Sequence, residues 1–142
     1  MACPYFYPSS PQAAIPEPRN AMLPLGDAWT GVCHAIPGSP CQPDPASTRP
    51  LCNLGYARGR CDRFPSHAGP DAVRFTIHGD TGLSLHLYYV LERDHHPFAH
   101  GPLEYLLDTA SFSHSPATES LDRQARAYIA SYLRRKGEAN GI

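Results

Sequence analysis

The stretch AVRFTIHGDTGLSLHLYYVL, residues 72–91, decides the fold of the second half of this chain. Apolar residues take alternate positions from Val73 to Ile77, which is the pattern of a strand with one buried face. GDTG at 79–82 is a turn sequence, and a second alternating apolar series runs from Leu83 to Leu91. The stretch therefore predicts an antiparallel β-hairpin that buries one face.

The residues after the hairpin predict another strand and a helix. PLEYLLD, residues 102–108, is suited to a third strand, which would extend the hairpin into a small antiparallel sheet. The pair Ser115-Pro116 resembles an N-cap followed by a first helical residue. Apolar residues recur at helical spacing from Leu121 to Leu133, and Gly137 is expected to end the helix. This pattern predicts one C-terminal amphipathic helix packed on the sheet.

The first half of the chain has a different composition. The sequence holds 16 prolines, of which 11 lie in the first 50 residues. Each proline removes a backbone donor and fixes φ, so this half is predicted to be irregular, with coil, turns and polyproline-like segments. The sequence as a whole predicts a single α+β domain over residues 1–142, with a Pro/Gly-rich, cysteine-rich wrap at 1–70 and the hairpin and helix at 71–142.

Four of the five cysteines are predicted to form one metal centre. Cys41 lies in PGSPCQPDPASTRP, a composition typical of a surface loop, and it is set aside. Four thiolates can bind zinc or an iron–sulfur cluster. Zinc fingers usually carry closely spaced cysteine pairs, whereas these ligands are separated by 29, 18 and 8 residues and would come from separate loops, which favours a cluster. The predicted ligands are Cys3, Cys33, Cys52 and Cys61.

The segment CNLGYARGRC, residues 52–61, is expected to curl over this centre. Glycine has no Cβ, so Gly31, Gly55 and Gly59 are predicted to let the backbone approach the sulfurs. The Tyr56 ring would shield one side from water. A cluster held by four thiolates commonly carries negative charge, which nearby arginines would offset and which would help to set its potential. These arginines are Arg58, Arg60 and Arg63, with at least one of the first two expected near the centre.

Other interpretations of the cysteines remain open at this point. Two disulfides with a free Cys41, or plain buried thiols, would also account for the count. Within the metal interpretation, [4Fe–4S] is favoured, and [2Fe–2S] or zinc fit the same ligands. A zinc ion would make the protein a metal-stabilised interaction module without redox activity. His34, beside Cys33, is a candidate substitute ligand or hydrogen-bond donor to the centre.

A second chemically rich stretch is ERDHHPFAHGPLEY, residues 92–105. Its Asp94, His95, His96 and His100 could bind a metal or act as acid and base in a metal-dependent enzyme. Pro97 separates the histidines, so they are not expected to share one helical face. The favoured interpretation is a polar loop after the second strand, and whether the protein is an enzyme stays open.

Charge and targeting signals narrow the function further. The formal net charge is −1, so the basic run at 134–136 does not favour nucleic-acid binding. No apolar run approaches the length of a membrane span, and MACPYFYPSS lacks the features of a signal peptide, so the cytoplasm is expected. The sequence therefore predicts a small [4Fe–4S] protein that transfers electrons to a protein redox partner or acts within a larger redox system.

Overall fold

Two antiparallel sheets and one long helix make up the chain in the computed structural model, which describes residues 2–11, 24–44, 47–66 and 69–140. The smaller sheet pairs strand β1 (Phe6–Pro11) with strand β2 (Trp29–Cys33). The larger sheet contains, in spatial order, β3 (Ala72–Asp80), β4 (Ser84–Arg93), β5 (His96–Leu106) and β6 (Ser111–Phe112). A π-helical turn spans Thr48–Asn53, and the helix α1 spans Glu119–Asn140. The α+β class predicted from the sequence is confirmed.

The first half of the chain holds more regular structure than its proline content predicted. Strand β1 contains Pro8 and Pro11, and its pairing with β2 is irregular between Pro8 and Ser10. Prolines are tolerated here because both strands of a two-stranded sheet are edge strands, where a missing N–H need not break a ladder. Met1 and residues 12–23, which belong to the predicted irregular wrap, lie outside the described residues.

Strands β3 and β4 form the predicted hairpin. Phe75 pairs with Tyr89 and Ile77 with Leu87, and the alternating apolar side chains bury one face. Leu83 departs from the prediction, because it lies in the connecting turn and is 78% exposed. Gly82 takes a φ of 83° in that turn, a left-handed conformation that a residue without Cβ adopts readily.

The histidine-rich stretch is a tight turn and a strand rather than a loop. Arg93 pairs directly with His96, so only Asp94 and His95 form the connection between β4 and β5. Both have positive φ, 52° and 63°, as both central residues of a type I′ hairpin turn do. The predicted third strand therefore exists, but it begins at His96 instead of Pro102.

The predicted helix is present with shifted ends. It begins at Glu119 rather than Pro116, where the Thr118 side chain accepts a hydrogen bond of 3.1 Å from the Leu121 N–H. It continues through Gly137 to Asn140, so Gly137 does not end it. The basic run lies before the last turn of the helix and forms ion pairs with two carboxylates: Arg134 and Arg135 pair with Asp27, and Lys136 pairs with Asp80 at the end of β3.

The core lies between α1 and the inner face of the larger sheet. Leu121, Ala125 and Ile129 on the helix are at most 4% exposed, and Leu85 and Leu87 on β4 are fully buried. The N-terminal segment joins this core, because the backbones of Ala2 and Val73 exchange two hydrogen bonds of 2.7 and 2.8 Å. This bridge holds residue 3 beside the sheet, which positions the first predicted ligand.

Candidate metal centre

All five cysteines line one cavity of about 390 Å³. The four predicted ligands therefore lie at one place, although Cys3 comes from the N-terminal segment and the other three come from later parts of the first half of the chain. Cys3 is 8% exposed, and the others are half-buried. The cavity also collects polar and charged neighbours, among them Asp44, Arg60, Asp62 and Arg63.

Cys3 is held from two sides. Its backbone N–H donates to the Cys52 carbonyl at 3.0 Å, so one backbone hydrogen bond joins two predicted ligands. Its own carbonyl accepts a hydrogen bond of 2.6 Å from Nε2 of Gln124, a helix residue with no exposed surface. The same Nε2 donates to the Phe6 carbonyl at 2.8 Å, so one helix side chain fastens the whole 3–6 turn.

Asn53 fixes Cys52 relative to the strand that carries Cys33. Its Oδ1 accepts from the Trp29 N–H at 2.8 Å, and its Nδ2 donates to the carbonyls of Trp29 and Thr48 at 3.0 and 2.8 Å. Trp29 begins β2, Cys33 ends it, and Asn53 is 1% exposed. The side-chain amide of Asn53 therefore connects the π-helical turn to β2 through hydrogen bonds to backbone groups. The sequence offered no pattern that singles out this asparagine.

Replacing Asn53 with Ala should lower the free energy of unfolding by about 3 kcal/mol, because one N–H and two carbonyls lose their partners in the interior. Urea titration of the two proteins measures this loss. Leu54→Ala is the matched control, since Leu54 is the next residue and is 40% exposed. A loss no larger than that of the control would mean that the Asn53 bonds do not hold the turn.

The segment between Cys52 and Cys61 is anchored to the β4–β5 hairpin, contrary to the predicted roles of two of its residues. The Tyr56 hydroxyl donates to Glu92 at 2.6 Å, and its ring stacks on His95 at 4.1 Å, so Tyr56 does not cover the cavity. Burial and the Glu92 carboxylate raise the pKa of Tyr56 to about 12, which keeps the hydroxyl protonated as the donor. Tyr56 has a φ of 57°, a strained value for a residue with a Cβ.

Arg58 also helps to hold this segment in place, through Asp71. Its Nε donates to Asp71 Oδ1 at 2.7 Å, and its guanidinium lies 4.7 Å from the centre of the Phe64 ring. Burial acts to raise the pKa of Asp71, but the hydrogen bonds from Arg58 and from the Asp94 N–H, together with the nearby arginine charges, outweigh it and the pKa is lowered. Arg60 and Arg63, both exposed, line the cavity instead. The expectation that one of Arg58 and Arg60 lies near the cysteines is thus met by Arg60.

The glycines do not act as predicted. Gly59 has a φ of 80°, and a Cβ built on it would meet no atom within 4 Å, so it serves the backbone conformation rather than a close approach. A Cβ on Gly31 would lie 2.2 Å from the Tyr7 carbonyl oxygen, so Gly31 permits the pairing of β1 with β2. These positions shape the loops that carry the cysteines.

Cys41 is closer to the other cysteines than its surface-loop sequence predicted. Cys33 and Cys41 form an isolated antiparallel bridge in which Cys33 N–H donates to Cys41 O at 2.7 Å and Cys41 N–H donates to Cys33 O at 3.1 Å. Backbone pairing of this kind leaves no trace in proline content or spacing. Cys41 thereby reaches the cavity wall as a fifth thiol.

The thiols influence one another electrostatically. Burial raises the pKa of Cys3 to about 12, opposed by a hydrogen bond from the Tyr5 backbone and reinforced by negative charge on Cys52, Cys33 and Cys61. Burial also raises the pKa of Cys52 to about 12, with further contributions from Cys33, Cys61 and Cys41. Such mutual effects require the sulfurs to be near neighbours. All of these thiols would have to lose protons before binding a metal.

The described residues contain no group of three or more His, Cys, Asp or Glu side chains arranged to hold a single metal ion. A tetrahedral zinc ion with Zn–S bonds of ~2.3 Å would need its sulfurs ~3.8 Å apart. The five thiols line the wall of the cavity.

The other predicted candidates are not part of this cavity's wall. His34 stacks on the Tyr7 ring at 3.8 Å and lines a separate groove beside Glu119 and Arg123. His100 is hydrogen-bonded through Nδ1 to the Tyr88 hydroxyl, and His95 stacks on Tyr56. The Asp94 N–H donates to Asp71 at 2.8 Å. These contacts stabilise the surface of the β4–β5 hairpin and its attachment to the 52–61 segment. They do not support the alternative acid–base role.

Comparison with protein-family models, with curated proteins and with solved structures gives no match. Across the described ranges, no helix has the length and apolar character needed to cross a membrane. Any assignment of function must therefore come from the cavity and its thiols.

Proposed function

We propose that this protein binds an iron–sulfur cluster, [4Fe–4S], through Cys3, Cys33, Cys52 and Cys61, and that it transfers single electrons to a protein partner. The observation that carries the proposal is the convergence of these four thiols, from separate segments, on one cavity. Iron–sulfur clusters are held by four cysteine thiolates and accept ligands from widely spaced positions. A [2Fe–2S] cluster would use the same ligands.

The ligand spacing supports a cluster over a lone zinc ion. Zinc sites usually carry closely spaced cysteine pairs, whereas the proposed ligands are separated by 29, 18 and 8 residues and come from separate segments. Cys41 also lines the cavity, and it is left out of the ligand set because of the proline-rich loop composition around it.

Charge around the cavity also supports the proposal. Arg60 and Arg63 line it and are exposed. Burial raises the pKa of Cys33, and the positive charge of Arg63 opposes this effect. Cations at this position favour thiolates over thiols and offset the negative charge that four thiolates bring together. They also favour the reduced, more negative state of a redox group.

The cluster would supply reversible one-electron transfer, and the chain's own residues would bind it and control its surroundings. Four thiols give up protons and become ligands, so binding strengthens as the pH rises, and the raised pKa values of Cys3 and Cys52 extend this dependence to high pH. Cys3 is on the buried side of the cavity, and the Cys61 segment with Arg60, Asp62 and Arg63 is on the exposed side. The Cys61 side is therefore the face that a redox partner would approach.

The test is anaerobic purification followed by analysis for iron, inorganic sulfide and zinc. We expect iron and sulfide in equal amounts, near four of each per chain, and a brown protein that absorbs at roughly 400 nm. Zinc without iron or sulfide would identify the alternative, a zinc-stabilised interaction module. Protein that binds neither after anaerobic reconstitution with iron and sulfide would overturn both functions.

Cys41→Ser should keep its full iron content under anaerobic conditions, because Cys41 lies outside the proposed ligand set. Iron and sulfide analysis of the variant beside the unchanged protein measures this. The matched variant is Cys3→Ser, which removes a proposed ligand and should lose the iron. The opposite pattern, with iron lost in Cys41→Ser and kept in Cys3→Ser, would show that the wrong four cysteines were chosen.

Arg60→Glu should lower the reduction potential by an amount on the order of tens of millivolts, because added negative charge disfavours the gain of an electron. Protein-film voltammetry measures the shift. Arg93→Glu makes the same change of net charge at an exposed residue that does not line the cavity, and it should shift the potential less. A raised potential in Arg60→Glu would contradict the electrostatic argument.

A further inference from the structure

We propose that Cys33 and Cys41 form a reversible disulfide when peroxide reaches the metal-free cavity, and that this disulfide and the metal centre exclude each other. The exclusion rests on the function proposed above, whereas formation of the disulfide rests on the geometry of the bridge alone. The cavity would then be a site of oxidative modification, in which the Cys41 thiol forms a disulfide with Cys33.

The backbone brings these two residues directly opposite each other. Their two hydrogen bonds, 2.7 and 3.1 Å, are reciprocal and define a hydrogen-bonded antiparallel pair. Cα atoms in such a pair lie about 5.5 Å apart, inside the ~4.4–6.8 Å range found in disulfides. Residues directly opposite in an antiparallel pair put their side chains on the same face, and both side chains line the same cavity.

The segment between Cys33 and Cys41 can move enough to bring their Cβ atoms to the distance found in disulfides. Opposed Cβ atoms stand ~4.5–5.5 Å apart and must come to ~3.5–4.5 Å in a disulfide. Residues 34–40 close through a turn in which the Ser39 N–H donates to Ile36 O at 3.1 Å. Gly38 in this turn has a φ of 75° with open space around it, and Ile36 is 42% exposed. A turn with so few contacts can move by about 1 Å at low cost.

No other pair of cysteines has this reciprocal arrangement among the described backbone hydrogen bonds. Cys3 and Cys52 share one bond, from Cys3 N–H to Cys52 O, without a return bond. Cys61 binds back within its own loop, through its N–H to the Ala57 carbonyl. The geometry therefore selects Cys33 with Cys41 over the other pairings.

The chemistry balances with a peroxide as the oxidant. One thiolate attacks a peroxide oxygen, the O–O bond breaks, and the sulfur becomes a sulfenic acid as hydroxide leaves. The second thiolate then attacks that sulfur, the S–S bond forms, and the sulfenic oxygen leaves as hydroxide. The two protons of the thiols convert the two hydroxides to water, so two thiols are oxidised by two electrons and one hydrogen peroxide is reduced.

A metal centre and this disulfide compete for the same sulfur. A metal binds the Cys33 thiolate, and a sulfur in a disulfide is not a thiolate. With Cys33 oxidised, three of the proposed ligands remain, which does not complete a four-cysteine site. In the loaded protein the Cys33 sulfur would be a metal ligand, so the disulfide would form only after the centre is lost, and reduction would restore the ligand.

The experiment maps the thiols of the metal-free protein before and after treatment with hydrogen peroxide. Free thiols are alkylated with one reagent, disulfides are reduced, the released thiols are labelled with a second reagent, and fragment masses locate each label. We expect free thiols to fall from five to three, with the second label on Cys33 and Cys41. Second label on any other pair, or none at all, would overturn the proposal.

Two variants and one further sample complete the test. Cys41→Ser should keep Cys33 free of disulfide, whereas Cys61→Ser should still form the Cys33–Cys41 pair. In protein carrying its iron, brief peroxide treatment should place no second label on Cys33 until iron is released. Equal labelling before and after iron release would contradict the exclusion. A protein that forms the disulfide but binds no iron would retain this pairing and reject the proposed function, so the two failures are distinguishable.

Discussion

Cys52→Ser should lose its bound iron completely and should open the 52–66 segment to trypsin, while the hydrogen-bonded pair of Cys33 and Cys41 stays in place. The substitution removes a proposed ligand, and metal binding is coupled to the folding of the segment that supplies it. The sites to follow are Arg60 and Arg63 beside the cavity, against Arg74 and Arg93 within the larger sheet. We expect cleavage at the first two to rise at least tenfold, which corresponds to about 1.4 kcal/mol of lost local stability.

The sheet and helix should remain protected for longer in this variant. Their core includes Leu85, Leu87 and Ile129, which contribute nothing to the cavity wall and are at most 2% exposed. Cys41→Ser is the matched control, because it removes a thiol of the same cavity that is outside the ligand set. If cleavage at Arg60 rose equally in both variants, thiol packing rather than metal binding would be holding the loops.

Gln124→Glu should be strongly destabilising, with a loss of about 4 kcal/mol at neutral pH. The change keeps the size of the side chain but replaces the donor group that binds the Cys3 and Phe6 carbonyls with an acceptor. Gln124 has no exposed surface, and its Oε1 has no partner among the described residues, so a carboxylate would be buried without compensation. Urea titration measures the loss.

The pH dependence gives this prediction a second readout. Burial would raise the folded-state pKa of the new carboxyl above its unfolded value near ~4.3. The protonated form is then favoured by folding, so the variant is most stable below the unfolded pKa and loses stability as the pH rises toward the folded pKa. Gln124→Met loses the same two hydrogen bonds without adding a charge, and it should show a smaller loss with no such pH dependence. Equal losses at all pH values would contradict a buried charge.

Local patterns in the sequence were enough to predict the β3–β4 hairpin and the helix. In both cases one face is buried against a neighbour, so apolar residues repeat with the period of the element. The ends were less predictable: Thr118 rather than Ser115 receives the first helical hydrogen bond, and the helix runs through Gly137. Contacts from outside the element decide such ends. Lys136, for example, is held by Asp80, 56 positions earlier in the sequence.

The β1–β2 sheet and the details of the site could not be predicted for the same physical reason. Pro8 and Gly31 have low strand propensity, yet they pair with each other here. The pairing requires glycine at position 31, because a Cβ there would collide with the Tyr7 carbonyl oxygen. The four cysteines were predicted from their count and context, and all five cysteines line one cavity, so the choice of these four as ligands stays a prediction. Three details of the site depend on contacts between residues far apart in the sequence. They are the pairing of Cys33 with Cys41, the hydrogen bond from Tyr56 to Glu92 and the three hydrogen bonds of Asn53.

The hydrogen bond from Gln124 to Cys3 has a consequence for how the protein is made. The two residues are 121 positions apart, so the anchor of the first cysteine leaves the ribosome long after the cysteine itself. At typical synthesis rates of ~5–20 residues per second, Cys3 waits several seconds or longer for the helix that fastens it. During that interval the later cysteines emerge into a chain whose cavity wall is incomplete. Insertion of the proposed cofactor should therefore follow emergence of the helix from the ribosome, and a nascent chain stalled before Glu119 should carry no metal.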